Sequence, residues 1–158
     1  MQKIKEDSTS LAPRTKFISE SREETIEFGK QFSRELHPGS VVAFYGNLGS
    51  GKTTLIRGIC TGLAVNEVVT SPTFTLINEY HGKIPVYHFD FYRITSELEL
   101  HDLGVEEYFN GDGICLIEWP EVVHDLLPEK RIEIHLNARF EPGWENKREI
   151  HTRKPYQM

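Results

Sequence analysis

The sequence predicts an α/β domain with a mixed, mostly parallel sheet flanked by helices, and three observations carry that expectation. Strand-type and helix-type patterns alternate along the chain, the signature of helices packed on a sheet. Two short apolar runs, Val41-Val42-Ala43-Phe44-Tyr45 and Ile114-Cys115-Leu116-Ile117, have the make-up of strands buried on both faces. A Gly-rich turn joins the first of these runs directly to an amphipathic stretch. The 158 residues, without internal repeats or long Pro/Gly/Ser linkers, are read as one domain spanning 1–158, with flexible ends expected at 1–12 and 154–158.

The elements follow in order. Arg14–Ser19 is a possible first strand, and Ser21-Arg22-Glu23-Glu24 reads as a capping box that opens a helix. Phe28, Phe32 and Leu36, four residues apart, give that helix its apolar stripe, and Pro38-Gly39 stops it. After the strand Val41–Tyr45 and the glycines, Leu55, Ile56, Ile59 and Leu63 supply the stripe of a second helix from Lys52 to Leu63. Phe74–Tyr80 and Ile84–Tyr92 flank His81-Gly82-Lys83 as a hairpin. Residues 96–109 read as one or two short helices, Ile114–Glu118 as a buried strand and Glu121–Leu127 as a short helix. Arg131–Asn137 and Lys147–Arg153 close the domain as strands.

Composition excludes several function classes. No apolar stretch approaches the roughly 18 residues that cross a bilayer, and the start lacks the apolar segment of a secretory signal, so a cytoplasmic, membrane-free protein is expected. Cys60 and Cys115 stand too far apart for a Cys-x-x-Cys pair and read as buried small hydrophobes; the seven His show no metal-site spacing. Net charge is −6, and the stretch Ile94–Glu129 holds ten acids without one Lys or Arg. Residues 17–138 carry nine basic against nineteen acidic groups and repel nucleic-acid phosphate, so extensive direct binding is disfavoured unless the termini do it, and the acidic stretch is either a solvated face or a docking face for a basic partner.

The chemistry is carried by Gly46-Asn47-Leu48-Gly49-Ser50-Gly51-Lys52-Thr53, which satisfies Gly-x4-Gly-Lys-Ser/Thr. A buried strand precedes it and a helix follows, so that backbone N–H groups and a helix N-terminus converge on phosphate. This is the loop of a P-loop NTPase, with a nucleoside triphosphate and Mg2+ as expected cofactors. Lys52 is expected to neutralise the β- and γ-phosphates and the Thr53 hydroxyl to ligate magnesium. Thr54 either meets the α-phosphate or is an ordinary helix-start residue.

A phosphate loop also needs an acid for the magnesium. Glu118 ends a run of four apolar residues, the pattern of a buried strand delivering a carboxylate to the sheet's C-terminal edge. Asp90, inside His88-Phe89-Asp90-Phe91-Tyr92-Arg93, lies between aromatics, where an unpaired carboxylate is costly to bury. Both are assigned to the magnesium site, and Glu118 alternatively polarises the attacking water. Thr73, in Ser71-Pro72-Thr73-Phe74-Thr75, is either a sensor of the γ-phosphate or part of a plain turn entering a strand. Arg93 is either an internal positive donor to the transition state or the ionic partner of Asp90 or a nearby acid.

Gly-Asn-Leu-Gly-Ser-Gly-Lys-Thr-Thr, Ser-Pro-Thr-Phe-Thr-Leu, His-Phe-Asp-Phe-Tyr-Arg and Ile-Glu-Trp, in this order and spacing, together resemble one family over about residues 17–137. It is the bacterial tRNA threonylcarbamoyladenosine biosynthesis ATPase family, TsaE (YjeE). The resemblance implies an ATP-binding, ATP-hydrolysing accessory subunit needed to place threonylcarbamoyl on the adenosine beside the anticodon in tRNAs reading codons that begin with A; the small chain, without an evident Arg finger or lid, is further expected to hydrolyse ATP weakly alone and faster with a partner. It further implies work with the TsaB and TsaD subunits, indirect contact with tRNA, and an activated donor made by a TsaC-type enzyme. Lys52, Thr53, Asp90, Glu118 and Thr73 match the family's phosphate lysine, magnesium ligand, two acids and switch-like segment. Trp119 matches its Trp beside the acid, and Ser19–Glu24 corresponds to a segment near the nucleotide base. The stretch from Arg139 is not diagnostic.

Other classes leave different marks. A regulatory GTPase wants Asn-Lys-x-Asp, and the nearest string, Asn146-Lys147-Arg148-Glu149, ends in Glu. A small-molecule kinase wants an Arg-rich lid, and no such cluster follows the core helices. A non-hydrolysing ADP-binding scaffold is the remaining alternative.

Overall fold

The structure, a computed structural model, describes residues 15–139 and 141–155. Of the flexible ends expected at 1–12 and 154–158, residues 1–12 and 156–158 lie outside the described residues, as does Arg14 of the first strand.

Seven strands form one sheet: β1 (Thr15–Ser19), β2 (Val41–Tyr45), β3 (Ile77–His81), β4 (Pro85–Asp90), β5 (Ile114–Glu118), β6 (Ile132–Ala138) and β7 (Arg148–Arg153), in the order β1-β7-β6-β2-β5-β4-β3. The four central strands β6, β2, β5 and β4 run parallel. β7 and β1 extend one side and β3 the other by antiparallel pairing. The sheet is thus mixed with a parallel centre. β2 has β5 on one side and β6 on the other, so the chain leaves a topological switch point where it turns into the phosphate loop. That position, outside the carboxyl ends of parallel strands, is where α/β sheets bind ligands.

Side-chain alternation along the central strands divides the core in two. Val42 and Phe44 of β2 with Ile114 and Leu116 of β5 face α1 (Arg22–Phe32) and α2 (Lys52–Gly62), where Phe32, Leu55, Ile56 and Ile59 cover them. On the other face, Val41, Phe89, Cys115 and Ile117 pack under α3 (Glu97–Leu103) and α4 (Val105–Phe109), against Leu100, Val105 and Phe109. Both cysteines are fully buried, and burial pushes each thiol up to about 12.

The helix signals act as ordinary capping chemistry. The Ser21 hydroxyl accepts from Glu24 N at 3.1 Å, while Glu24 Oε2 accepts from Glu20 N at 2.7 Å, one residue before the position a capping box uses. α1 ends at Phe32 and tightens into a 3-10 turn over Ser33–Glu35, with Leu36 still buried. α1 and α2 cross at two glycines: a Cβ on Gly29 would stand 2.7 Å from the Leu55 carbonyl oxygen, and one on Gly58 would overlap the Ile26 carbonyl.

Two local expectations are revised. The first hairpin strand begins at Ile77 rather than Phe74, because Leu76 takes a left-handed φ of 68° and its N–H donates to the Pro72 carbonyl at 2.7 Å, closing a turn. The second hairpin strand ends at Asp90, and residues 91–93 lie beyond it. The short helix expected at Glu121–Leu127 is present as 3-10 turns over Pro120–Leu126, broken at Val123. Residues 97–109 are two helices because Gly104, at φ 65°, separates them.

Candidate phosphate and magnesium site

The loop between β2 and α2 is built by its glycines. Gly49 (φ 79°) and Gly51 (φ 100°) occupy the left-handed region that side chains disfavour. At Gly46 the demand is space: a Cβ there would lie 2.5 Å from Ser50 Oγ and 2.7 Å from the Leu136 carbonyl oxygen. Asn47, Leu48 and Gly49 are exposed at the tip, and Ser50 is buried with a hydroxyl that has no hydrogen-bond partner among the described residues. A buried, unpartnered hydroxyl within a cradle of backbone amides at the start of α2 fits a phosphate oxygen.

Lys52 is 5% exposed; its ammonium donates to the Gly46 carbonyl oxygen at 2.5 Å and sits 3.7 Å from the centre of the Trp119 ring. Burial depresses its pKa more than the attraction of Glu118, Glu121 and Asp90 raises it. Trp119 reaches this position from a left-handed backbone conformation (φ 56°), uncommon for a bulky residue, at the end of β5. Tyr92 also packs against Trp119, with ring centroids 4.9 Å apart.

The two acids stand at the ends of neighbouring strands. Thr53 Oγ1, on the first turn of α2, donates to Glu118 Oε1 at 3.1 Å. Asp90 Oδ2 accepts from Ser71 Oγ at 2.8 Å and Thr73 Oγ1 at 3.3 Å, and Oδ1 from Tyr92 N at 2.9 Å. Thr73 is therefore brought to Asp90. Among the described residues Arg93 forms no ion pair with Asp90: its guanidinium lies over the exposed Phe74 ring, 4.2 Å from the centroid, and Asp90 is held by hydroxyls and an amide instead.

Thr54 lines a small hollow beside the loop with Arg22, Thr25, Gly51, Asn146 and Arg148. Arg22 belongs to the Ser19–Glu24 segment that the resemblance relates to the nucleotide base, whereas Arg148 escaped the sequence reading, since it belongs to the undiagnostic tail and reaches the loop only because β7 folds back on β6. His88 also escaped it. The imidazole is fully buried and bonds Glu118 Oε2 at 2.7 Å. Its alternation with Asp90 on β4 was the available signal, since residues 86, 88 and 90 of a strand share a face.

A parallel sheet centre with a Gly-x4-Gly-Lys-Thr loop at its switch point is the P-loop NTPase fold. Residues 19–150 match the family described as threonylcarbamoyl adenosine biosynthesis protein TsaE, and the chain belongs to that family. It is 45% identical over 113 residues to the tRNA threonylcarbamoyladenosine biosynthesis protein TsaE of Bacillus subtilis (strain 168), covering 71% of this chain and 70% of the relative. It is 43% identical over 121 residues to the protein of the same name in Treponema pallidum (strain Nichols), covering 77% and 90%. The crystal structure of Bacillus subtilis YdiB superposes with a TM-score of 0.76 at 34% identity, covering 90% of this chain and 86% of that one.

Proposed function

We propose that this chain is a magnesium-dependent ATPase acting as an accessory subunit in threonylcarbamoylation of the adenosine next to the anticodon, in tRNAs reading codons that begin with A. It works in the cytoplasm with TsaD and TsaB and meets tRNA through that complex. Family membership supports the pathway. The observation that carries the ATPase reading is the 3.1 Å contact between the phosphate-loop Thr53 hydroxyl and the strand-end carboxylate of Glu118.

The residues divide the work by charge. The backbone amides of Gly46–Thr53, with Ser50 Oγ, hold phosphate oxygens, and Lys52 balances the β- and γ-phosphates. Thr54 faces the α-phosphate side. Thr53, Asp90 and Glu118 hold magnesium, which neutralises charge on the triphosphate when bound. Among the described residues no three His, Cys, Asp or Glu side chains form a metal cage. That suits magnesium, which is usually bound by one or two carboxylates completed by substrate phosphates and water. Glu118 is also placed to orient the attacking water, and Thr73, tied to Asp90, couples its segment to the γ-phosphate.

Two competing classes find little support. Arg148 and Glu149 of the string Asn146–Glu149 lie in β7, and the Glu149 carboxylate is bound by Lys16 at 3.1 Å and Arg139 at 2.9 Å, a poor placement for reading guanine. Arg93, the cation nearest Asp90 in sequence, stacks on Phe74 rather than forming a kinase-type lid. Reconstituting tRNA modification with and without this chain, and with ATP or GTP, tests the proposal. Modification that proceeds equally well without the chain refutes it.

A further inference from the structure

His88 and Tyr80 take no part in the chemistry assigned above, yet they form a buried polar line ending on Glu118. His88 is 0% exposed and Tyr80 4%. His88 Nε2 lies 2.7 Å from Glu118 Oε2, its Nδ1 lies 3.3 Å from the Tyr80 hydroxyl, and Asn78 Nδ2 donates to that hydroxyl at 3.3 Å and to the Thr70 carbonyl oxygen at 3.1 Å. An ionised carboxylate only accepts, so the 2.7 Å contact requires the form of His88 that carries a proton on Nε2. The Tyr80 hydroxyl lies within reach of both Nδ1, at 3.3 Å, and the Thr70 carbonyl oxygen, at 3.2 Å, so its single proton serves one or the other and links His88 to Thr70.

Strand register explains the contact. Asp90 pairs with Glu118 and His88 with Leu116, so His88 reaches Glu118 along the diagonal between β4 and β5. Glu118 is thus held by two partners, Thr53 Oγ1, 3.1 Å from Oε1 and 3.4 Å from Oε2, and His88, 2.7 Å from Oε2. The far end of the line is Thr70, immediately before Ser71 and Thr73, whose hydroxyls hold Asp90.

We infer that His88 and Tyr80 are positioning residues that aim the Glu118 carboxylate at the magnesium ion, and that they tie its orientation to the segment that also holds Asp90. The inference rests on the magnesium site proposed above. Partners of this kind behind a ligating group typically change metal affinity or activity about 10- to 100-fold when removed.

Calorimetry of the full chain with AMPPNP, with and without magnesium, reads the effect apart from turnover. Gln places its amide nitrogen where His carries Nε2, whereas Asn places its own where His carries Nδ1. H88N is therefore expected to lose about 10- to 100-fold of the magnesium-dependent gain in affinity, and H88Q to retain most of it. Y80F, which keeps the ring, is expected to lose a smaller part, with kcat falling and KM for ATP steady. Magnesium-free AMPPNP affinity should stay unchanged in all three. Equal behaviour of H88N and H88Q in folded protein overturns the positioning role, as does a full magnesium gain in Y80F if H88N does not fold. E118Q separates the two levels: if it loses the magnesium gain while the His88 and Tyr80 variants keep it, only this inference fails. If E118Q itself keeps the gain, the magnesium assignment falls and the inference with it.

Discussion

Asp90 and Glu118 are register partners at the carboxyl ends of adjacent parallel strands, yet they are held by different parts of the chain. Asp90 is bound by the hydroxyls of Ser71 and Thr73, and Glu118 by Thr53 and His88. Two buried carboxylates side by side repel unless a cation lies between or near them. Replacing either by its amide, D90N or E118Q, is expected to abolish ATP turnover while leaving magnesium-free nucleotide binding largely intact. Near-normal hydrolysis by both variants would show that the wrong strand ends were assigned.

Lys52→Ala removes the ammonium that the Gly46 carbonyl and the Trp119 ring now hold in place. Charge-assisted contacts to phosphate are worth about 1.5–3 kcal/mol, so ATP affinity should fall roughly ten- to hundredfold. Calorimetry on folded K52A checks this, and unchanged affinity refutes the phosphate-loop assignment.

The acidic stretch Ile94–Glu129 does not act as one block, because Glu118 is buried in the site. Glu97, Glu106, Glu107, Glu121 and Asp125 instead rim a groove of about 810 Å³ between α3, α4 and the 3-10 turns, with exposed Leu98 at its edge. With Arg93 stacked on Phe74, hydrolysis by the isolated chain should be slow and should rise when TsaD and TsaB are added. If the acidic rim is the docking surface, the stimulation weakens as salt rises. ATPase rates against partner concentration at two ionic strengths test both parts: no stimulation at low salt removes the incomplete-site idea, and equal stimulation at both salts removes the acidic rim.

Gly58→Ala sets two effects against each other. Alanine favours a helix over glycine by about 1 kcal/mol, but the added Cβ overlaps the Ile26 carbonyl on α1. Forcing apart a packed contact costs typically about 1–3 kcal/mol, and here the obstacle is backbone, which cannot rotate away. G58A is therefore expected to be less stable than the parent in urea unfolding; a stability gain would mean that the helices separate freely.

Glu149, on β7, gathers Lys16, Arg139 and His151. The Lys16 hydrogen bond first, and then that of His151, hold its carboxyl below the usual range. A depressed carboxylate contributes stability in full above its unfolded value of about 4.3, and loses it as pH falls through the lower native value. Melting curves of E149Q should therefore lie below the parent at pH 7 and converge with it in strong acid. A gap that persists unchanged below pH of about 3 would place the loss in packing rather than charge.

Local chemistry was legible along the chain. The Ser21 cap, the Gly46–Thr53 loop, the apolar strands and the carboxylates at 90 and 118 each depend on residues a few positions apart, where backbone geometry makes spacing informative. Phe74 misled because it is apolar and next to strand-forming residues, while the turn at Leu76 and the stack with Arg93 arise from how the segment packs. What only the tertiary structure decided is partnership across the chain: Thr53 with Glu118, His88 with Glu118, Arg148 beside Gly51. These contacts depend on strand order and register, which are set by burying both faces of the whole sheet at once. No local pattern carries that information, because a carboxylate at a strand end reads the same whichever neighbour the sheet gives it.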